Sequence, residues 1–431
     1  MKNTVVAGAQ FGDEGKAKIT DLLASKADII IRYQGGCNAG HTVVHEGVTY
    51  KFHLIPSGIL YKDKICFIGA GTVISPDDFE NEISELKANG LSDESLKKSL
   101  KISPLAHITM PYHKLTDGKS ESSLGKNKIG TTGKGIGPTY TDKYARCGLR
   151  VEDLFDDKSL ANKVDVILSQ KNKILKNVYG ADEYTSAEIL ELLAKYKKLF
   201  EPFVCFEWQE LFRKIKQEKK TILFEGAQGV LLDIDYGTYP YVTSSNPIAG
   251  GAGVGAGMGP LMIEDVVGVF KAYVTRVGEG PFVTELLDET GDTIRNIGGE
   301  FGTTTGRPRR CGWFDAVLAK YSVLVCGISS LAITKADIFD DFDEIKICTA
   351  YKNKFTGEVT ESYPTNFARL SDYEPVYETM KGWHEKISDI KKYEDLPKNA
   401  KVYFKKLEEL TGVPIKIISV GPDREQTIFI D

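Results

Sequence analysis

A glycine-rich stretch near the start of the chain has the residue types needed to hold and process a phosphate. Residues 12–18 read Gly-Asp-Glu-Gly-Lys-Ala-Lys and follow the strand-like residues 5–7, while residues 19–23 are helix-like. A strand, a turn and a helix N-terminus in this order present backbone N–H groups to an anion, and Lys16 supplies a positive charge. The loop departs from the Walker A pattern, which needs Ser or Thr after its Lys. Asp13 places a carboxylate inside the loop, so we expect chemistry as well as binding.

A second polar stretch supplies a candidate acid in a predicted loop. Residues 34–42 read Gln-Gly-Gly-Cys-Asn-Ala-Gly-His-Thr, directly after the strand-like residues 28–32. Because consecutive parallel strands end at the same edge of a sheet, we expect Asp13 and His41 to share one cleft, where they could act as base and acid. The simpler interpretations are a charged surface turn and a lone structural histidine. We keep the structural interpretation for His45, His53, His107, His113 and His384.

Composition argues against several classes of partner. The chain has 431 residues, a net charge of −5, and no apolar stretch that approaches the roughly 20 residues of a membrane span. The acidic balance gives no electrostatic reason to expect nucleic acid or an anionic membrane as a partner. Seven cysteines without a Cys-x-x-Cys pair, and a first strand that begins without a signal peptide, predict a cytoplasmic protein with reduced thiols.

Apolar runs alternate with amphipathic stretches along the whole chain. Strand-like runs lie at residues 5–7, 29–32, 65–68, 221–224, 266–274, 331–334, 345–350 and 415–420. Helical patterns lie at residues 79–86, 160–175, 187–200 and 401–410. The alternation predicts an α/β fold, with a single large domain over residues 1–431 around a mostly parallel central sheet with helical insertions. We expect the nucleotide at the C-terminal edges of the strands.

Further motifs follow the first two in a fixed order. They read Ile-Gly-Thr-Thr-Gly-Lys-Gly-Ile-Gly-Pro at 129–138, Phe-Glu-Gly-Ala-Gln-Gly at 224–229, Asp-Tyr-Gly-Thr-Tyr-Pro-Tyr-Val-Thr-Ser-Ser at 235–245, Gly-Thr-Thr-Thr-Gly-Arg-Pro-Arg at 302–309, Thr-Lys-Ala-Asp at 334–337 and Ser-Val-Gly-Pro-Asp-Arg at 419–424. Together with residues 12–18 and 38–42, this series resembles the adenylosuccinate synthetase family from end to end. Several long motifs in one order are far more specific than any single motif.

The resemblance implies a reaction and its catalytic groups. The family uses GTP as a co-substrate to join L-aspartate to IMP, giving adenylosuccinate, GDP and phosphate in de novo AMP synthesis through a 6-phosphoryl-IMP intermediate. The implied class is a C–N bond-forming ligase with one Mg²⁺ per subunit. Asp13 corresponds to the base and a magnesium ligand, His41 to the acid, and the Gly40 carbonyl to a second magnesium ligand. Lys16 and Gln228 complete the implied catalytic set.

The resemblance also implies a GTP site built from residues 12–18, called the phosphate loop below, together with the segment around His41 and the later motifs. There, Asp337 would accept hydrogen bonds from the guanine edge, and the Lys335 stem would lie on the ring face. The implied GTP contacts are Gly12, Asp13, Glu14, Gly15, Lys16, Ala17, Lys18, Gly40, His41, Thr42, Arg309, Lys335, Ala336, Asp337, Ser419, Val420 and Gly421. The family usually has Gly at the position of Ala17, and we expect Ala17 to begin a helix, where Ala is favourable.

Sites for IMP and L-aspartate follow from the same resemblance. The IMP contacts are Asp13, Glu14, Gly15, Lys16, Asn38, Ala39, Gly40, His41, Thr132, Arg146, Gln228, Thr243 and Arg307. The aspartate contacts are Thr303, Thr304, Thr305, Gly306, Arg307, Pro308 and Arg309. Arg146 would reach the IMP site of a neighbouring subunit, so a homodimer is expected. Cys147 and Pro308 stand at positions where the family often has Arg.

Two functions of other classes remain open at this stage. A GTPase switch would hydrolyse GTP without IMP or aspartate, and a purine-nucleotide sensor would bind without turnover. The presence of Asp13, Lys16 and His41 argues against a sensor, which needs no base. Phosphate release from GTP, with IMP and aspartate omitted in turn, separates both functions from the ligase.

Overall fold

A sheet of buried apolar strands organises the fold. The computed structural model describes residues 1–45, 47–125, 128–302, 306, 308–364 and 366–430. The strands are β1 (Thr4–Gly8), β2 (Ile29–Arg32), β3 (His41–His45), β4 (Val48–Phe52), β5 (Ile65–Ile68), β6 (Val73–Ile74), β7 (Leu100–Ile102), β8 (His107–Ile108), β9 (Ile222–Glu225), β10 (Asp265–Lys271), β11 (Val274–Arg276), β12 (Arg310–Gly312), β13 (Phe314–Asp315), β14 (Ser330–Thr334), β15 (Glu344–Asn353), β16 (Val359–Thr360), β17 (Tyr373–Lys381), β18 (Ile415–Ser419) and β19 (Thr427–Phe429).

Helices cover and extend this sheet. They are α1 (Lys16–Ala24), α2 (Pro76–Ala88), α3 (Asp93–Ser99), α4 (Pro111–Ser123), α5 (Ile136–Ala145), α6 (Leu160–Tyr179), α7 (Ser186–Phe200), α8 (Trp208–Gln217), α9 (Ala249–Ala256), α10 (Glu289–Gly298), α11 (Ala316–Cys326) and α12 (Lys398–Thr411). Within the described ranges, none of them combines the length and the apolar character needed to cross a membrane.

Nine of these strands form the central sheet, in the order β19-β18-β14-β10-β1-β9-β2-β5-β7. All neighbouring strands are parallel except β19, which runs antiparallel to β18 at one edge. Every residue of β1, β2, β9 and β14 is buried, as is typical of strands covered on both faces. The predicted α/β fold with a mostly parallel central sheet is confirmed.

Two of the predicted strands lie partly or wholly outside the central sheet. Residues 266–274 divide into β10 and β11, and β11 leaves the central sheet to pair with β12. Residues 345–350 lie in β15, which belongs to a second sheet with β13, β16 and β17. Half-buried Lys346 and Thr349 interrupt the buried positions of β15, so this strand covers a core with one face only. An apolar run in the sequence does not by itself show to which of the two sheets a strand belongs.

The helical patterns predicted from the sequence all fall within helices. Residues 79–86 lie in α2, 160–175 in α6, 187–200 in α7 and 401–410 in α12. The α7 helix begins at Ser186 because Thr185 and Glu188 form a capping box, in which each side chain accepts the other residue's N–H. The rings of Phe79 and Phe200, 5.4 Å apart, pack α7 against α2.

The C-terminal ends of the parallel strands bring the polar motifs to one edge of the sheet. The phosphate loop follows β1, residues 33–40 follow β2, residues 226–229 follow β9, Lys335 follows β14 and Val420 follows β18. Because these strands are parallel, the segments after them lie side by side. This edge is where the sequence predicted the nucleotide.

Candidate active site

A cavity of about 520 Å³ opens at this edge of the sheet. Its wall combines residues of the phosphate loop, the loop after β2, the loop after β9 and the segment after β14. The predicted site residues on this wall are Gly12, Asp13, Gly15, Lys16, Ala17, Lys18, Asn38, Ala39, Gly40, His41, Thr42, Thr132, Gln228, Thr243, Arg309 and Lys335. The structure therefore brings Asp13 and His41 into one cleft, as expected.

The phosphate loop folds around the side chain of Glu14, which is fully buried. Glu14 accepts hydrogen bonds from the N–H groups of Gln10 (3.0 Å) and Gly12 (2.9 Å) and from Nζ of Lys16 (2.6 Å). A Cβ atom at Gly8 would lie 2.4 Å from the Glu14 carboxylate, so glycine is needed where β1 ends. The loop's own carboxylate thus fixes Lys16, and Glu14 lies beneath the cavity wall.

Several site residues have left-handed backbone conformations. Asp13 (φ 59°), Gln228 (φ 56°) and Lys335 (φ 58°) are non-glycine residues with positive φ. Such residues are uncommon and cluster at functional sites. Gly15 (φ 80°) caps α1, and Ala17 is the second residue of that helix. The expectation that Ala17 occupies the helix start is confirmed, and no positive φ is required of it.

Asp13 reaches the cavity and forms an ion pair with Arg309. The Asp13 side chain is 41% exposed, and its Oδ2 lies 2.9 Å from Nε of Arg309. Arg309 also donates from Nη1 to Oε2 of buried Glu300 at 2.7 Å. Glu300 in turn accepts hydrogen bonds from Nζ of Lys271 (2.7 Å) and Oη of Tyr273 (2.5 Å). A row of alternating charges therefore leads from the core to Asp13.

His41 is the first residue of β3, which corrects the expectation that it lies in a loop. Its Nδ1 lies 2.7 Å from Oε1 of Glu225, the last residue of β9, and its buried Nε2 has no hydrogen-bond partner among the described residues. Burial lowers the pKa of His41, although the hydrogen bond to Glu225 opposes this shift. Burial alone would raise the pKa of Glu225, but the hydrogen bond from His41 outweighs it and the pKa is lowered. The pair is therefore a neutral imidazole beside an ionised carboxylate at neutral pH.

Amide and hydroxyl side chains line another part of the cavity. Oε1 and Nε2 of Gln228 are buried and have no partner among the described residues. Nδ2 of Asn38 donates to Oγ1 of Thr243 at 3.4 Å, and Thr132 shares this wall. Leaving a buried amide unpaired is unfavourable, so a polar ligand that pairs with Gln228 would be stabilised here. The donor and acceptor of one amide match the edge of a heterocyclic base.

The predicted guanine motif begins where β14 ends and contacts the phosphate loop. Oγ1 of Thr334 donates to the Glu14 carbonyl at 2.5 Å, and Nζ of Lys335 donates to the Gly298 carbonyl at 2.6 Å. Asp337 is half-buried beside the cavity rather than on its wall, and burial raises the pKa of its carboxyl group. The motif therefore adjoins both the phosphate loop and the end of α10.

Lys18 connects α1 to the C-terminal motif. Its Nζ donates to Oγ of Ser419 (2.8 Å) and to the carbonyl groups of Gly421 (2.8 Å) and Gln426 (2.9 Å). Burial lowers the pKa of Lys18 to about 8, although the charge of Asp337 opposes this shift. Ser419 and Gly421 therefore adjoin the cavity through Lys18.

Comparisons with known proteins agree with this geometry. The family model described as adenylosuccinate synthetase matches residues 5–428. This chain belongs to the adenylosuccinate synthetase family. Among its relatives, the adenylosuccinate synthetase of Caldanaerobacter subterraneus subsp. tengcongensis is 53% identical over 430 residues, a match that covers 100% of this chain and 99% of the relative. That of Picosynechococcus sp. is 54% identical over 431 residues, with 100% and 96% covered.

Solved structures of related proteins support the same assignment. The fully ligated adenylosuccinate synthetase from Plasmodium falciparum is similar with a TM-score of 0.92 and 37% identity, and the match covers 100% of both chains. The succinoaminodeoxyadenylate synthetase of cyanophage S-2L, at a TM-score of 0.59 and 18% identity, shares the fold. As an adenylosuccinate synthetase family member, the chain is a ligase that joins L-aspartate to IMP with GTP in AMP synthesis.

Part of the implied adenylosuccinate synthetase site lies off the wall of this cavity. Arg146 follows α5, has a φ of 63° and is exposed, as is Tyr144 beside it. The predicted residues off the wall are Glu14, Arg146, Gly306, Pro308, Ala336, Asp337, Ser419, Val420 and Gly421. Thr303, Thr304, Thr305 and Arg307 lie outside the described residues. Of the described residues that were predicted to bind aspartate, Arg309 is therefore the one that lines this cavity.

Sequence reasoning missed two carboxylates that fix the adenylosuccinate synthetase site. Glu225 lies inside the motif at residues 224–229, and Glu300 lies two residues before the motif at residues 302–309, but neither was given a role. One signal was available for Glu225, because a Glu that ends an apolar strand is rarely buried without a charged partner. Lys271, which ends β10, carries the same signal.

Proposed function

We propose that ligation proceeds through 6-phosphoryl-IMP, with Asp13 as the base and His41 as the acid. The observation that carries this proposal is the single cavity that Asp13, His41, Lys16 and Gln228 share. In the first step, Asp13 removes the proton from ring nitrogen 1 of IMP, and the 6-oxygen attacks the γ-phosphorus of GTP with GDP leaving. In the second step, the aspartate amine attacks carbon 6, and the 6-oxygen leaves with the phosphate. Phosphorylation makes a poor leaving group a good one.

Two cations assist the phosphoryl transfer in this proposal. Lys16 offsets the negative charge that builds on the transferring group. Neutral His41 gains a proton when the phosphates of GTP enter the cavity, because nearby anions favour the imidazolium form. Oε1 of Glu225 accepts a hydrogen bond from Nδ1–H of His41, and in the imidazolium form Nε2–H is then available to donate to the phosphoryl oxygens. Binding of GTP thereby creates the acid that the first step requires.

One Mg²⁺ per subunit would be held by Asp13 and the carbonyl of Gly40. Mg²⁺ usually takes one or two protein oxygens and completes its shell with water and substrate phosphates. The residues fit this pattern, since Asp13 is accessible in the cavity and Gly40 borders open space on the same wall. When bound, the ion would polarise the phosphates.

The remaining substrate contacts are proposed from the same arrangement. Asn38, Thr132, Gln228 and Thr243 would bind IMP, because all four line the cavity and the Gln228 amide has no partner among the described residues. The GTP base would lie between the segments after β14 and β18, with its edge on Asp337. L-Aspartate would bind to residues 303–309.

We further propose that the chain acts as a cytoplasmic homodimer of single-domain subunits. Exposure of Arg146 at the end of α5 supports a role in the partner's IMP site. The central sheet joins β1 near the start of the chain to β19 near its end, which supports one domain. All seven cysteines lie in the described ranges and are free, as expected in a reducing compartment.

Phosphate release from GTP tests the proposed function. We expect steady release only when IMP and L-aspartate are both present, whereas a GTPase switch would need neither. Asp13→Asn should retain GTP binding and lose about 10²–10⁴-fold in turnover, because an amide cannot accept the purine proton. An Asp13→Asn enzyme within a few-fold of the wild type would show that another group is the base.

A further inference from the structure

A buried carboxylate behind Arg309 has no role in the proposed reaction. Glu300 is fully buried, and its Oε1 accepts hydrogen bonds from Nζ of Lys271 (2.7 Å) and Oη of Tyr273 (2.5 Å). Its Oε2 accepts a hydrogen bond from Nη1 of Arg309 at 2.7 Å. Burial alone would raise the pKa of Glu300, but the charge of Lys271 outweighs it and holds the pKa at about 2. Glu300 is therefore ionised throughout the physiological range.

Arg309 lies between two carboxylates of very different exposure. On one side is Glu300, which does not reach solvent, and on the other is Asp13, whose side chain is 41% exposed. The Asp13 ion pair uses Nε at 2.9 Å, whereas the Glu300 hydrogen bond uses Nη1. The guanidinium can therefore give up Asp13 while its bond to Glu300 stays in place.

The backbone of Arg309 is fixed beside Glu300 as well. Its N–H donates to the Glu300 carbonyl at 2.9 Å, and Phe301 and Pro308 form an antiparallel bridge next to this bond. Lys271, which ends β10 in the central sheet, also donates to Oγ1 of Thr275 at 2.7 Å. Arg309 is thus connected through Glu300 to Lys271 in the core of the molecule.

We propose that Glu300 is a positioning residue that holds Arg309 at the cavity, so that its guanidinium can exchange Asp13 for the terminal phosphate of GTP. The inference rests on the proposed function, in which Asp13 acts where the γ-phosphoryl group is transferred. While Nε of Arg309 holds Oδ2 of Asp13 at 2.9 Å, that oxygen is not free to accept the purine proton. Glu300 competes with Asp13 for Arg309 and keeps the cation within reach of the incoming phosphate. Without the Glu300 charge, Arg309 would pair more strongly with Asp13 and bind GTP less well.

A double-mutant cycle with Glu300→Gln and Arg309→Leu tests the inference. Loss of a charged hydrogen bond predicts about tenfold weaker binding of GTP to Glu300→Gln, measured by calorimetry. Binding of GDP, which lacks the terminal phosphate, should change by less than about twofold. In the Arg309→Leu background, Glu300→Gln should have no further effect on GTP binding, because Glu300 acts through Arg309. The Michaelis constant for GTP should follow the same pattern.

The neighbouring ion pair offers a matched control. Glu285 accepts hydrogen bonds from Nε (2.7 Å) and Nη2 (2.5 Å) of Arg310, and neither residue lines the cavity. Glu285→Gln should therefore leave GTP and GDP binding unchanged. If Glu300→Gln does not fold, Glu300→Asp keeps a charge for Lys271 while it shortens the reach to Arg309. The same cycle, with the same expected pattern, is then measured with Glu300→Asp.

Three results would overturn the inference, and the first two are distinguishable from the third. Equal weakening of GTP binding and GDP binding by Glu300→Gln would mean that Glu300 has a general structural role. The same conclusion would follow if the effects of Glu300→Gln and Arg309→Leu on GTP binding multiply in the double variant. In that case the proposed reaction and the contact between Arg309 and GTP stand. If Arg309→Leu alone leaves GTP binding unchanged, the proposed contact between Arg309 and GTP is wrong, and the inference fails with it.

Discussion

The Nδ1 atom of His41 lies 2.7 Å from Oε1 of Glu225, and both side chains are buried. Glu225 is held independently of His41, because its Oε2 accepts hydrogen bonds from N and Oγ of Ser57, each at 3.0 Å. Nη1 of Arg32 lies 4.0 Å from Oε1. The carboxylate therefore sets the orientation of the imidazole, whose other nitrogen, Nε2, has no hydrogen-bond partner among the described residues. In the proposed reaction, the acid His41 therefore depends on a residue that does not line the cavity.

Glu225→Gln should lower kcat by about 10²-fold, the lower end of what general acid catalysis contributes. The amide of the variant can keep most of the hydrogen bonds to Ser57 and His41, but it lacks the negative charge that stabilises the imidazolium form of His41. In the wild type, GTP binding should take up a proton at pH 7.5, because burial lowers the pKa of His41 in the free enzyme and the phosphates raise it. Calorimetry of GTP binding in buffers of different ionisation enthalpy measures this uptake, which Glu225→Gln should reduce.

A second buried pair provides the control for this measurement. Nε2 of His113 lies 2.8 Å from Oδ2 of Asp142, and neither residue lines the cavity. Asp142→Asn should therefore destabilise the protein without changing proton uptake on GTP binding. Uptake that persists in Glu225→Gln would show that His41 does not gain the proton.

Asp337→Asn should relax the selectivity for guanine. A pocket that reads a base through hydrogen bonds discriminates strongly, because a wrong ligand leaves buried polar groups unpaired. The amide lacks the second acceptor but offers a donor, so the specificity constant for XTP should rise relative to that for GTP. Asp340→Asn, three residues further along and off the cavity wall, is a suitable control. An unchanged ranking of GTP, ITP and XTP would place guanine recognition elsewhere.

The sequence predicted the parts of this site whose signals are local. The strand, turn and helix around Asp13 can be read from residues 5–23, and buried parallel strands from their apolar runs. The partners of Asp13 and His41 could not be predicted in the same way. Arg309 and Glu225 are distant in sequence from Asp13 and His41. Glu225 ends β9, which pairs with β2, and Arg309 is held through Glu300 by Lys271 at the end of β10. The exit of β11 from the central sheet likewise depends on a partner, β12, that no local pattern specifies.

Two inactive variants should restore activity to each other when mixed. Asp13→Ala lacks the base but keeps Arg146, and Arg146→Ala does the reverse. In a mixed dimer, one site then has its own Asp13 and Arg146 of the partner subunit. Random exchange should return up to about a quarter of the wild-type activity. Mass measurement confirms the exchange, and if mixed dimers form without activity, Arg146 acts within its own subunit.

The central claim is that the 6-oxygen of IMP leaves as part of the phosphate. It is tested most directly with IMP that carries oxygen-18 at carbon 6, incubated with GTP, L-aspartate and the enzyme. Mass spectrometry of the released phosphate should find one oxygen-18 atom for each adenylosuccinate formed, because the 6-oxygen attacks the γ-phosphorus before the amine displaces it. Unlabelled phosphate, with the label recovered in water, would contradict the phosphorylated intermediate and the base role of Asp13 that depends on it.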